Sequence, residues 1–439
     1  MDRVPRTLEE RLTLDVASLD AEGRGVARNA EGKVVFVEGA LPGERVLARK
    51  LAGGRSFDTA RTTAILRASA SRRLPRCPHF GTCGGCVTQH ADVRTQVAAK
   101  QRWLEDCLAR IGKVQAETLL APIYGEEWQY RSRARLSARF VAKKGGALVG
   151  FRERRSTYIA DMRSCDVLPS AISALLPRLR VLIGELSVRE RLPQIEVAAG
   201  DAATVLVLRI LEPLTERDHG LLRAFSQETE LHVWLQPRGP DTVTPLYPGD
   251  PDPLYYDLPE FAVRIGFGPT DFTQVNPATN RVLVRRVMRL LDPQPGERIA
   301  DLFCGVGNFS LPLARLGASV IGVEGIGGLV ERARRNARAN DLVAQFEVAD
   351  LSKSGIDAYG PFEKMLLDPP REGAVEVVKA IGEDWPNRIA YVSCDPATLA
   401  RDAAVLVHTK GFVLSAAGVV NMFPHTAHVE SVALFERRK

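Results

Sequence analysis

Cys394 has the setting that points most directly to chemistry. It lies in Tyr391-Val392-Ser393-Cys394-Asp395-Pro396, at the end of an apolar run with strand character, and Asp395-Pro396 favours a turn. A thiol placed there stands at the carboxyl edge of a sheet, where open α/β folds bind ligands. A cysteine attacks only as its thiolate, and with a pKa near ~8.5 only a few per cent is ionised at neutral pH. Isolated cysteines more often serve as inert core residues. The upstream sequence argues against that here.

Asp301-Leu302-Phe303-Cys304-Gly305-Val306-Gly307 puts glycines where a strand turns into a helix, so that backbone can approach a ligand. A lone glycine pattern is weak evidence. Three acidic signals follow it in order. Glu324 ends the next strand, roughly twenty residues on, where a carboxylate accepts both ribose hydroxyls. Asp350 follows the third strand, near where an adenine would lie, and Asp368-Pro369-Pro370-Arg371 follows the fourth. Asn308-Phe309-Ser310 does not complete the Gly-x-Gly-x-x-Gly of a dehydrogenase. The set resembles a class I S-adenosyl-L-methionine methyltransferase.

A thiol beside a methyl donor implies attack on a pyrimidine ring. Addition at uracil C6 makes C5 nucleophilic enough to take the methyl. A base must then remove the C5 proton before the thiol leaves. Glu430, in Phe423-Pro424-His425-Thr426-Ala427-His428-Val429-Glu430, is the leading candidate, with His428 the alternative.

Gln274-Val275-Asn276, the glycine loop, Asp-Pro-Pro-Arg, Ser-Cys-Asp-Pro and His-Val-Glu resemble the RNA uracil-5-methyltransferases along the C-terminal third. The resemblance implies donor contacts from Gln274, Phe303, Asn308, Glu324, Asp350 and Asp368, with Cys394 as nucleophile and Glu430 as base. Relatives carry other polar residues at the position of Asp350.

A second constellation is Cys77-x5-Cys83-Gly84-Gly85-Cys86, with Cys165 as a remote fourth thiol. Small residues let the loop wrap a metal centre. Four thiolates suit a 4Fe-4S cluster or zinc, and the spacing leaves both open. Similarity to the 23S ribosomal RNA branch of the family implies the iron–sulfur cluster. Cys107 reads as core. Cys304 reads as packing beneath the donor site and as a weak rival nucleophile.

These residues need a scaffold, and 439 residues allow about three domains. Residues 1–69 read as a small β-barrel. Leu12–Val16, Lys33–Val37, Arg45–Ala48 and Thr63–Leu66 are short strands with glycine turns between them. Gly23-Arg24-Gly25-Val26-Ala27 and Val37–Glu44 resemble the TRAM domain, an RNA-binding barrel of the oligonucleotide-binding type. Residues 70–270 read as a mixed α/β domain that carries the cysteine cluster. It is expected to hold a helix over Val93–Arg110, a strand over Tyr130–Leu136, a hairpin of Leu148–Phe151 with Thr157–Met162, a helix over Ala171–Leu186, and strands near Ile195 and Val205. Arg131, Arg133 and Arg135 alternate in that first strand, as either a solvent face or an RNA-contacting row, the row being preferred.

Residues 271–439 alternate helices and strands. Helices are expected at Pro277–Leu291, Leu311–Leu316 and Leu329–Asn340. Strands are expected at Arg298–Phe303, Ser319–Glu324, Gln345–Val348, Lys364–Leu367, Arg388–Ser393, Phe412–Val419 and Val429–Phe435. That rhythm implies a doubly wound, largely parallel, Rossmann-like sheet.

Charge agrees with a nucleic-acid partner. The net charge is +6, but residues 51–155 hold 20 Lys and Arg against 8 Asp and Glu, a surplus of +12, which leaves −6 for the rest. No apolar run approaches the ~20 residues needed to span a bilayer. Met1–Glu10 has no apolar segment and reads as no signal peptide. A cytoplasmic protein with no membrane and no obligate protein partner is expected, a monomer. In that compartment seven cysteines favour metal or catalysis over disulfides.

The expectation is S-adenosyl-L-methionine-dependent C5-methylation of a uridine in 23S rRNA. A tRNA uridine is the alternative within the family, but the barrel and the quartet favour the ribosomal branch. A radical enzyme would want Cys-x3-Cys-x2-Cys with an open iron. An amino-methyltransferase would want an aromatic residue where Arg371 stands. A non-catalytic RNA-binding scaffold would not need Cys394 and Glu430.

Overall fold

The computed structural model describes residues 10–251, 253–351, 353 and 356–437. The first nine residues, on which the leader expectation rests, lie outside the described ones. The chain divides into two units, residues 1–103 with 424–427 and residues 104–423 with 428–439.

In the first unit, alternation of apolar and polar residues folds β1 (Arg11–Leu19), β2 (Gly25–Arg28), β3 (Val34–Glu38), β4 (Arg45–Gly53) and β5 (Phe57–Arg67) into a closed barrel of order β1-β2-β3-β5-β4. Leu14, Val16, Ala27, Val35, Val37, Val46 and Ala48 point inward and are buried. Gly25 must lack a side chain, because a Cβ there would come within 2.8 Å of Val16 and 3.0 Å of Ala40. Helix α1 (Val93–Cys107) begins in this unit and ends in the next.

The second unit has two larger sheets. One is six-stranded, with β7 (Arg133–Val141), β8 (Gly146–Gly150), β9 (Gln194–Ala199), β10 (Thr204–Arg209), β11 (His232–Gln236) and β12 (Thr244–Tyr247) in the order β12-β11-β10-β9-β7-β8. It is mixed, since β10 and β11 run parallel and the other pairs antiparallel. Helices α2 (Ser170–Glu185) and α3 (Glu216–Thr229) belong to this region. The expected hairpin is present only in part. Gly146–Gly150 pairs with β7, while Phe151 O accepts from the Ala160 amide and the Glu153 amide donates to Tyr158 O around an isolated Arg152–Ile159 bridge.

The other sheet carries the sites. It comprises β6 (Thr118–Leu119), β15 (Arg298–Leu302), β16 (Ser319–Glu324), β17 (Gln345–Val348), β18 (Lys364–Leu367), β19 (Arg388–Ser393), β20 (Phe412–Val420) and β21 (Glu430–Arg437). Their order is β17-β16-β15-β18-β19-β21-β20-β6. The five strands from β17 to β19 are parallel, and β21 is antiparallel to both neighbours. Strand order reverses at β15, with β16 on one side and β18 on the other, so ligands belong at the carboxyl ends there. Helices α4 (Pro277–Leu291), α5 (Ser310–Arg315), α6 (Gly327–Ala339), α7 (Val375–Ala380) and α8 (Pro396–His408) accompany it. A two-stranded hairpin, β13 (Tyr255–Leu258) with β14 (Val263–Gly266), precedes α4. No described helix is long and apolar enough to cross a membrane.

Candidate active site

The glycine loop leaves β15 in an unusual backbone state. Phe303, Gly305 and Gly307 have φ of 65°, 55° and 94°. A phenylalanine with positive φ is strained, and such strain persists where surrounding contacts enforce it. Here the Phe303 amide donates to Val323 O at 2.8 Å. Glu324, at the end of β16, accepts from the Gly305 amide at 3.2 Å and the Ile326 amide at 3.0 Å. Its carboxylate is thus aimed across the mouth of the loop. Asp301 lies beneath, fully buried, with one oxygen bonded by the Ser310 hydroxyl and the other unpartnered. Burial pushes its carboxyl up to about 7. Sequence reading placed Asp301 in the loop motif but gave it no role; its signal was position one of that motif.

The segment that carries Gln274 is held at Asp271 and Val275 by residues of distant sequence. Arg133 donates to Asp271 O at 2.6 Å, and the amide and hydroxyl of Ser132 both donate to Val275 O, at 2.8 and 3.0 Å. Asn276 caps α4 by accepting from the Thr279 amide. Arg131, Arg133 and Arg135 alternate with buried Ser132, Ala134 and Leu136, but their surroundings differ. Arg133 is largely withdrawn from solvent, stacks on Phe267 at 5.7 Å and braces the Gln274 segment. Arg135 pairs with Glu196 at 3.0 Å, and Arg131 lies over Phe151 at 5.7 Å. The three do not form a uniform row.

Cys394 sits just past β19. β19 and β21 end their ladder with Ser393 opposite Ser431, which sets the next residue, Cys394, across from Glu430. Burial pushes the Cys394 thiol up to about 11; the Glu430 and Asp368 carboxylates add to the rise, and Arg371 opposes it. Burial likewise raises Asp368 well above the usual carboxylate range, with Glu430 and Asp301 adding to it. Asp301, Asp368, Glu430 and Cys394 thus form one electrostatic chain from the glycine loop to Cys394. Arg371 Nη2 lies 2.9 Å from His428 Nδ1 and 3.4 Å from its Nε2. No in-plane hydrogen bond reaches both nitrogens, so the cation rests on the ring face, and the Phe423 ring stands 5.2 Å from the His428 centroid. His428 is exposed, whereas Glu430 is buried.

Asp350 is exposed and paired with Lys353 at 2.8 Å. Cys304 is buried against Gly322, where a Cβ would come within 2.9 Å of its sulfur, and burial raises its thiol well above the ordinary range. That is a packing residue. Cys107 is buried as well. Cys77, Cys83 and Cys86 belong to the first unit, and Cys165, buried, to the second. Cys83 Sγ accepts from the Gly85 amide at 3.4 Å; burial raises its pKa and the nearby Cys77 adds to the rise. Adjacent thiols that repel as thiolates, with an amide aimed at one sulfur, suit metal ligation in their chemistry. Among the described residues, no group of three or more His, Cys, Asp or Glu stands in a metal-holding arrangement.

The tRNA (Uracil-5-)-methyltransferase family model matches residues 260–358 and 346–438, and the TRAM domain model matches residues 5–49. The chain is 58% identical to the 23S rRNA (uracil(1939)-C(5))-methyltransferase RlmD of Nitrosospira multiformis, over 97% of this chain and 98% of that one. It is 56% identical to the protein of the same description from Chromobacterium violaceum, over 96% and 84%. Among solved structures, it resembles the Pyrococcus abyssi tRNA (uracil-54, C5)-methyltransferase in complex with S-adenosyl-L-homocysteine. That likeness has a TM-score of 0.74 at 25% identity and covers 97% of this chain and 99% of the other.

Proposed function

Because this chain belongs to the RNA uracil-5-methyltransferase family, we propose that it transfers a methyl group from S-adenosyl-L-methionine to C5 of one uridine in 23S rRNA. The uridine at the position that the relatives' descriptions number 1939 is the proposed target. Cys394 set across from Glu430 at the carboxyl end of the sheet is the observation that carries the reading.

The Cys394 thiolate adds to C6, and the electron pair moves to C5. The donor supplies an electrophilic methyl, which C5 takes. The Glu430 carboxylate then removes the C5 proton, and the electrons of that C–H bond restore the double bond as the C6–S bond breaks. The thiolate is regenerated and one proton is released overall. Arg371 is the cation that favours the thiolate against the surrounding carboxylates. Gln274, Phe303, Asn308, Glu324, Asp350 and Asp368 form the donor pocket in this reading. Glu324 takes the ribose hydroxyls, and the acidic Asp368 and Asp301 suit a cationic donor.

The working divisions are residues 1–69 for RNA binding, 70–270 for the cysteine-bearing domain and 271–439 for catalysis. Cys77, Cys83, Cys86 and Cys165 are proposed to ligate one 4Fe-4S cluster with a structural or RNA-orienting role. The cysteine spacing and the amide bond to Cys83 support that ligand set.

Mass mapping of 5-methyluridine in 23S rRNA from cells with and without the protein tests the function. Loss of the modification at the target uridine, and its restoration by purified protein with S-adenosyl-L-methionine, is the expected result. An intact modification pattern without the protein, or restoration only in tRNA, would overturn the proposal.

A further inference from the structure

Asn308 is clamped by two residues that lie outside the glycine loop. Asn280, on α4, donates its Nδ2 to Asn308 Oδ1 at 2.9 Å, and Asn308 Nδ2 donates back to Asn280 Oδ1 at 3.1 Å. The Tyr256 hydroxyl, on β13, donates to the same Asn308 Oδ1 at 2.8 Å. Asn280 is 2% and Tyr256 7% exposed, so water does not compete for these bonds. The hairpin bearing Tyr256 is fastened to the loop a second time. Asn336, on α6, donates to Gly266 O at 2.9 Å and Val306 O at 3.0 Å and accepts from the Gly266 amide at 2.9 Å.

A side-chain amide has two acceptor lone pairs and two N–H donors. Both lone pairs of Asn308 are taken by Tyr256 and Asn280, and one N–H by Asn280. Among the described residues, the second N–H is left uncommitted. In this orientation the Asn308 oxygen accepts from both the tyrosine hydroxyl and Asn280, and the reciprocal bond uses one of its N–H groups.

We infer that Tyr256 and Asn280 are positioning residues for the methyl-donor site, which orient Asn308 so that it presents one N–H to an acceptor atom of the bound nucleoside. They act through Asn308 and do not touch the donor themselves. The inference rests on the reading of Asn308 as a donor contact.

The test is calorimetric titration of the full-length protein with S-adenosyl-L-homocysteine, comparing Tyr256→Phe, Asn280→Ala, Asn308→Ala and the two double variants containing Asn308→Ala. Each single variant should weaken binding about five- to tenfold, the scale of one hydrogen bond. In the Asn308→Ala background, neither Tyr256→Phe nor Asn280→Ala should weaken it further, because their effect passes through the missing amide. Affinity for an RNA fragment containing the target uridine should stay at the wild-type value. Wild-type donor affinity in Tyr256→Phe and Asn280→Ala, with a weakened Asn308→Ala, would overturn the inference. So would losses that add to that of Asn308→Ala, as a general packing defect would give. Wild-type affinity in Asn308→Ala itself would instead remove the premise, a result distinct from the other two.

Discussion

Cys394 lies one residue beyond Ser393, the last paired position of β19, and Glu430 opens β21 one residue before Ser431, the partner of Ser393. The proposed nucleophile and base come from strands that are adjacent in the sheet but separated in sequence by a helix and a strand. Their closeness has a cost, since Glu430 adds to the rise of the Cys394 thiol pKa. Resting protein should therefore hold Cys394 mostly as thiol at neutral pH.

Replacing Cys394 with Ser should lower methylation by more than about a thousandfold, the scale for removal of a covalent nucleophile. S-adenosyl-L-homocysteine affinity should change little. Wild-type protein should form a stable covalent complex with 5-fluorouridine RNA, since fluorine cannot leave as a cation, and the variant should form none on a denaturing gel. Turnover by the serine variant at the wild-type rate would sink the covalent mechanism.

Glu430→Gln should stall later. Addition and methyl transfer can still occur, but proton removal slows by about 10²- to 10⁴-fold. A covalent RNA–protein adduct already carrying the methyl should accumulate and be visible by mass spectrometry. Normal turnover would move the base to His428 or to water.

Arg371→Ala should slow alkylation of Cys394 by iodoacetamide at pH 8. The arginine opposes burial and two carboxylates, so its removal raises the thiol pKa further and shrinks the thiolate fraction, about tenfold per unit. Adding S-adenosyl-L-methionine should speed alkylation more than S-adenosyl-L-homocysteine does, because only the former brings a sulfonium charge to this acidic chain. Equal rates in all cases would show that Arg371 and the donor charge do not act on the thiol.

Asp301 makes a stability prediction with a definite sign. Its folded carboxyl titrates near 7, above the unfolded value of 3.8. Between those values the native state holds the proton more tightly, so stability falls as pH rises from about 4 to about 7. Asp301→Asn should therefore gain thermal stability over the wild type, on the order of a few kcal/mol, with the gap widening from pH 5 and complete above about 7. Donor should bind the variant more weakly. A pH-independent gap in melting temperature would contradict this.

Anaerobically purified protein should be brown, with about four iron and four sulfide per chain. Cys83→Ser should lose that absorbance and destabilise the protein, while methylation by the wild type should need no added reductant. One zinc with no iron would replace the cluster with a zinc site.

Legibility followed locality. The glycine loop, Glu324 and the Cys394 turn were readable because each is a strand running into a turn or helix, and a few neighbouring residues specify such a transition. Glu430 was readable as a candidate because little else near the last strand can accept a proton. The Arg131–Arg135 alternation was read correctly as a period of two, but the contact that Arg133 makes was not legible. Arg133 braces Asp271 across 138 residues of chain, a contact that periodicity does not encode.

The amino-acid sequence by itself determined the reaction class, through a thiol, an acid and a donor loop whose order along the chain follows the order of strands. Tertiary structure alone decided how those groups are tuned. Asp301 and Glu430 add to the rise of Asp368, and Asp368 and Glu430 to that of Cys394, only because different strands end at one edge of the sheet. Arg371 rests on His428 from 57 residues away, and Tyr256 reaches Asn308 across 52. Burial and charge act through distance in space, and that distance is set when the sheet closes, not by spacing along the chain.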